Sequence, residues 1–137
     1  MLEDNFDKNF KIWIPHKDVA EVYDTEDVGF RDEGFVVLCI ADHFERDKRS
    51  DYNVKLVWDN VVSYTVTDES YRPELWVSES EVAEVWTFYI SESSDYLNKF
   101  REKNYIVPEK TYHFLIAGTN LMVDVISPEF PKLTFVK

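Results

Sequence analysis

Between Glu84 and Ile126 the apolar residues follow first one period and then another, and that stretch limits what the chain can fold into. Val85–Ile90 alternates, which puts Trp86, Phe88 and Ile90 on one face of a strand. The spacing then changes. Ser93 or Ser94 can cap a helix, Tyr96, Leu97 and Phe100 form a buried stripe, and Lys99, Arg101 and Lys103 collect at the C-terminal end, where the helix dipole favours cations. Asn104 suits the exit, and Pro108 cannot continue the helix. Tyr112–Ala117 and Leu121–Ile126 alternate again around Gly118-Thr119-Asn120, which predicts a hairpin. Its second strand sets Met122, Asp124 and Ile126 on one face and Leu121, Val123 and Val125 on the other.

The rest of the chain reads mostly as strand. Phe10–Ile14 places Phe10, Ile12 and Ile14 together until Pro15 removes a ladder donor. Lys17–Tyr23 fits one helical turn as well as alternation, and its Val and Tyr content favours strand. Phe35–Ala41 is apolar on both faces, as in a central strand covered on two sides. Val54–Trp58 and Val61–Val66 flank Asp59-Asn60. That reads as a hairpin with a two-residue turn, with one long bent strand as the competitor. In the second of these, Val62, Tyr64 and Val66 are expected inward. Leu133–Val136 reads as an edge strand, residues 1–9 are polar and expected to fray, and Asp42–Asp51 is a charged loop. The expectation is one α+β domain over residues 1–137, mainly antiparallel β in about seven to nine strands. These form a sandwich or a curled sheet, closed by one short helix at about 94–103.

Charge narrows the function. Lys and Arg number 15 against 27 Asp and Glu, a net −12 that repels phosphate backbones and makes nucleic acid a poor partner. The acidity is concentrated: residues 1–33 carry 10 acids and 4 bases, and residues 67–95 carry 8 and 1. No apolar run approaches the ~18–20 residues of a membrane span, and the acidic N-terminus lacks the basic-then-apolar order of a secretion signal. The expected compartment is the cytoplasm. The single cysteine, Cys39, sits in an apolar run and reads as a buried hydrophobe.

Motifs for catalysis are scarce. The chain has no glycine-rich phosphate loop, no Gly-x-Ser-x-Gly elbow and no His-Glu-x-x-His. Acidic Asp24–Glu33 reads as a solvated turn around Gly29. Taken as a calcium loop starting at Asp24, it fails at Val28 and at Phe35, which would stand where ligands are required. His43, beside Asp42 and Glu45, is the best metal candidate, but alternation points Asp42 and His43 apart, so no metal, cofactor or catalytic residue is assigned. Asp124 among valines and His113 between Tyr112 and Phe114 are the polar groups of an alternative reading, in which an aromatic pocket binds a small ligand or performs catalysis. Alternation also allows Asp124 to be exposed or paired across strands, and His113 to be satisfied or solvent-facing. A third reading is a homo-oligomeric scaffold pairing through an exposed aromatic patch.

The favoured reading is a non-enzymatic protein-binding domain that neutralises a basic partner. Its candidate contact residues are Asp68, Glu69, Glu74, Trp76, Glu79 and Glu81, where charge would speed encounter and Trp76 would supply an anchor. Two segments carry a family resemblance: Val57-Trp-Asp-Asn-Val-Val-Ser-Tyr-Thr-Val-Thr-Asp-Glu-Ser70, and Trp86 to Phe100 together with Tyr112-His-Phe-Leu-Ile116 and Asp124-Val-Ile126. The second half of the chain resembles uncharacterised small proteins of Firmicutes, some encoded near polymorphic toxins. They share the order of a V-x-Y-x-V-T-D-E-S-like strand, an S-x-Y-L-x-x-F helix, a Y-x-x-Y-H-F-L-I strand and a D-V-I strand. The resemblance transfers no catalytic residue. It implies a bacterial cytoplasmic protein and, by analogy alone, an immunity role.

Overall fold

The computed structural model describes residues 9–41, 52–68, 86–103 and 107–137. They form β1 (Lys11–Ile12), β2 (Tyr23–Arg31), β3 (Gly34–Ala41), β4 (Asn53–Trp58), β5 (Ser63–Asp68), β6 (Phe88–Ser91), α1 (Asp95–Lys103), β7 (Tyr112–Ala117), β8 (Leu121–Ser127) and β9 (Lys132–Val136). One sheet has the order β1-β6-β7-β8-β5 and the other β2-β3-β4-β9. Every pairing is antiparallel. This is the mainly antiparallel α+β arrangement that the alternation predicts.

The two sheets bury their alternating faces against each other. Phe35, Val37, Cys39, Val54, Leu56 and Trp58 from the four-stranded sheet meet Phe88, Phe114, Ile116, Val123 and Val125 from the five-stranded one. Aromatic rings fill this layer edge-on, with Trp58 and Phe114 centred 5.5 Å apart. Burial pushes the Cys39 thiol up to about 12, so it stays protonated and acts as packing. The opposite face of the five-stranded sheet also holds a core of Phe10, Tyr89, Leu115 and Met122, and α1 contributes fully buried Leu97 on the same side. The β6–β7–β8 centre is therefore covered on both faces.

Several elements differ from the alternation reading, each for a local reason. Asp59-Asn60 does not close a hairpin: β4 and β5 belong to different sheets, and residues 59–62 carry the chain between them. A two-residue hairpin turn needs positive φ at its centre, and no described non-glycine residue has it. The crossing is held instead by Val62 N–H donating to Ile126 O at 2.8 Å and by Ser127 Oγ donating to Asn60 O.

Asp24–Glu33 is not a loop either. Most of it is β2, paired to β3 from Tyr23↔Ala41 to Arg31↔Gly34 with a bulge between Thr25 and Asp27. The bulge adds one residue and breaks the period of two, which hides the strand in the sequence. Gly34 takes φ +130, and a Cβ there would lie 2.5 Å from the Trp58 carbonyl oxygen, so the turn of this hairpin requires glycine.

Lys17–Tyr23 is a turn segment, with strand only from Tyr23. Buried Ala20 donates its N–H to the Tyr23 hydroxyl at 2.7 Å. The first strand is two residues long, Phe10 is buried before it, and Ile14 is 63% exposed ahead of Pro15. Val62, Tyr64 and Val66 are exposed rather than buried, because β5 is the outermost strand of its sheet. The charged loop 42–51 and residues 1–8 lie outside the described residues.

The helix and the last hairpin lie where the sequence puts them, but of the expected stripe only Leu97 is buried: Phe100 is half-buried and Tyr96 is 37% exposed, its hydroxyl turned to Thr65. Ser94 Oγ accepts from Leu97 N–H at 3.0 Å and caps α1. The tip of the β7–β8 hairpin is fastened to the other sheet. Asn120 accepts from Thr25 N–H at 2.9 Å and donates to Thr25 O at 2.7 Å, so one amide side chain joins the tip to the start of the β2 bulge.

Candidate functional site

The β7–β8 register places His113 opposite Ile126 and Leu115 opposite Asp124. His113 and Asp124 are thus diagonal neighbours on one face, the face on which α1 lies. The His113 ring spans the gap, with Nε2 2.7 Å from Asp124 Oδ1 and Nδ1 2.7 Å from Ser94 Oγ. Ser94, His113 and Asp124 are all buried, at 0%, 2% and 4% exposure. Phe10 packs edge-on to the imidazole at 4.7 Å between centroids, and the Tyr96 ring lies 5.1 Å away. Tyr96 also shares a hydrogen bond with Thr65 Oγ1 at 2.9 Å, which continues the polar contacts onto β5.

A Ser–His–Asp line invites comparison with a hydrolytic triad, and the geometry speaks against it. A nucleophilic serine must reach substrate, but Ser94 has no exposed surface. Its oxygen already accepts the Leu97 N–H. The assignment that uses each donor once has the Ser94 hydroxyl donating to Nδ1 and Nε2–H donating to Asp124. A protease triad uses the ring the other way, with Nε2 toward serine and Nδ1 toward aspartate. The line is a brace: one polar chain connects the first turn of α1 to two strands, each member satisfying the next. The readings of Asp124 as paired across strands and of His113 as satisfied are met by one and the same bond.

Two clefts can be described, and neither is lined by His113 or Asp124. One of about 630 Å³ opens over the outer face of β2 and β3 beside Phe30, Val36 and Leu38. Four of its five charged residues pair with each other, Lys55 with Glu33 at 2.9 Å and Arg31 with Asp27 at 2.5 Å, and Asp32 is the fifth. The other, about 390 Å³, lies between Lys11, Ser91, Tyr112 and Phe130. Among the described residues no group of three His, Cys, Asp or Glu could hold a metal ion. No described helix is long and apolar enough to cross a membrane.

No protein-family model, curated protein or solved structure matches the chain. The surface therefore has to speak for itself.

Of the six residues singled out for partner binding, Asp68 is the exposed last residue of β5, opposite Leu121. Glu69, Glu74, Trp76, Glu79 and Glu81 lie outside the described residues, as does His43. An exposed apolar cluster on β5 and β2 escaped the sequence reading, which turned Tyr64 and Val66 inward. Tyr64 and Val66 on β5 are 40% and 41% exposed, and Phe30 on β2 is 60% exposed. The Phe30 and Tyr64 rings are centred 5.9 Å apart, and Tyr64 lies 4.6 Å from buried Phe35. The cluster is thus continuous with the core and open to solvent. β2 and β5 belong to different sheets, so only the packing of one sheet on the other brings residues 30 and 64 together.

Proposed function

We propose that the chain is a non-enzymatic, acidic protein-binding domain of the cytoplasm that neutralises a basic protein partner, in the manner of an immunity protein. The observation that carries this reading is the charge: −12 overall, concentrated in residues 1–33 and 67–95. The first block includes exposed Glu26, Asp32 and Glu33 on β2 and its turn, and the second includes Asp68 at the end of β5. An acidic surface steers a cationic partner during encounter, and exposed rings such as Phe30 and Tyr64 supply the short-range part of the affinity. The closed Ser94–His113–Asp124 line favours binding over catalysis, since its hydroxyl is out of reach. The resemblance to proteins encoded near toxins supports an immunity role by analogy.

The test is to co-purify the chain with the products of the genes flanking its own and to titrate any complex at increasing salt. A basic partner whose affinity falls steeply with ionic strength is expected. A complex whose affinity is indifferent to salt, or the absence of any basic partner among those products, overturns the reading.

A further inference from the structure

Four described strands are sheet edges: β1, β5, β2 and β9. An edge exposes a row of unpaired N–H and C=O groups, and proteins ordinarily blunt it with short strands, proline, lysine or bulges. Three of the four are blunted. β1 has two residues and is soon followed by Pro15. β2 carries the bulge between Thr25 and Asp27, with exposed Glu26 at it. β9 is flanked by Pro131 and bears Lys132, with Lys137 just beyond it.

β5 has none of these devices. Its six residues, Ser63-Tyr-Thr-Val-Thr-Asp68, pair with β8 in unbroken register and include neither proline nor a basic residue. Among the described residues β8 is its only strand partner. β-branched and aromatic residues make it a good pairing strand.

We propose that β5 is the docking edge for an extended segment of a basic protein, which adds to the five-stranded sheet as a sixth strand. This rests on the acidic-binding reading above and specifies its mode. Main-chain hydrogen bonds to β5 would supply affinity, and alternate side chains would supply choice. On one face the incoming strand meets Tyr64 and Val66 with Phe30 beside them, so every second residue is apolar. On the other it meets Ser63, Thr65 and Thr67, which take polar or cationic residues. Charge selects the occupant. Asp68 ends the strand, exposed Glu26 lies on β2, whose Phe30 meets Tyr64 edge-on, and the whole chain carries −12. A second copy of this chain would bring the same charge to the same edge.

The probe is a synthetic peptide of alternating lysine and valine, added to the full chain and followed by amide hydrogen exchange. The outward-facing amides of β5 exchange fast in the free chain and become protected with peptide. Val66→Lys, at an exposed position, lowers peptide affinity by about tenfold or more, while Thr134→Lys on β9 leaves it unchanged. Peptide binding without new protection on β5 overturns the docking edge and leaves the acidic-binding reading standing. Absence of any peptide binding at low salt overturns both. Full protection of β5 in the free chain shows the edge already occupied by the chain's own residues, and self-association abolished by Val66→Lys shows a second copy there. Either result overturns the proposal.

Discussion

Replacing Ser94 by alanine tests whether the buried Ser94–His113–Asp124 line is one unit or a helix cap that happens to lie beside a histidine. Ser94 Oγ takes the Leu97 N–H at 3.0 Å and the His113 Nδ1 at 2.7 Å. Loss of an N-cap costs about 1 kcal/mol. Loss of the second bond leaves a ring nitrogen without its partner at a residue 2% exposed, a further penalty of about 1–3 kcal/mol. Ser94→Ala should therefore destabilise by about 2–4 kcal/mol. With a urea dependence of about 2 kcal/mol per molar, the unfolding midpoint falls by about 1–2 M. The four tryptophans report the transition by fluorescence.

The decisive measurement is the same substitution in a His113→Phe background, where Nδ1 no longer exists. There only the cap is lost, and the cost should drop to about 1 kcal/mol. Asp124 loses its imidazole partner in both members of that pair, so its contribution cancels. Equal costs in the two backgrounds would refute the unit and reduce Ser94 to a cap.

Two further outcomes follow from the same packing. The Cys39 thiol, pushed up to about 12 by burial from 9.0 when free, binds its proton more tightly in the folded chain. Its contribution is fully present below pH 9, and the folding constant should then fall about tenfold per pH unit toward 12; a Cys39→Ala variant lacks that component of the alkaline decline when unfolding is followed against pH. Asn120→Ala removes the bonds to Thr25 N–H, Thr25 O and Leu121 N–H, which should cost about 2–4 kcal/mol in a denaturant titration at about 1 kcal/mol per bond. A change below about 0.5 kcal/mol would show that the hairpin tip does not fasten the two sheets.

Alternation carries a strand's existence and its facing, and little about its neighbour. β8 and β9 were legible because their inward residues keep one period from end to end, β3 because its run is apolar on both faces, and α1 because its cap and basic end mark it although Leu97 alone of its stripe is buried. β2 was hidden because the bulge at Glu26 shifts the period midway: Tyr23 and Thr25 face inward, then Val28, so the acids between look like a loop. β4 and β5 were legible as strands but not as members of different sheets, since an Asp-Asn turn and a crossing look alike in sequence. The His113–Asp124 bond was within reach. A three-residue tip at Gly118–Asn120 fixes the register, and the register makes the two residues diagonal on one face. The third member, Ser94, could be read only as a cap. That its hydroxyl also meets a histidine 19 residues later depends on where α1 lies against the sheet.

The crossing at residues 59–62 also bears on how the chain is made. When the first sixty or so residues have left a ribosome, β2, β3 and β4 can pair as a meander, but the sheet that covers Phe35, Leu56 and Trp58 is largely unmade. Strand β1 waits for β6, β5 waits for β8, and β4 waits for β9. Each sheet thus joins early strands to late ones, and neither can close before β8 or β9 has been made. Such long-range closure folds slowly and leaves apolar faces open meanwhile. Until those late strands arrive, Phe35, Leu56 and Trp58 form the apolar surface through which nascent copies would associate.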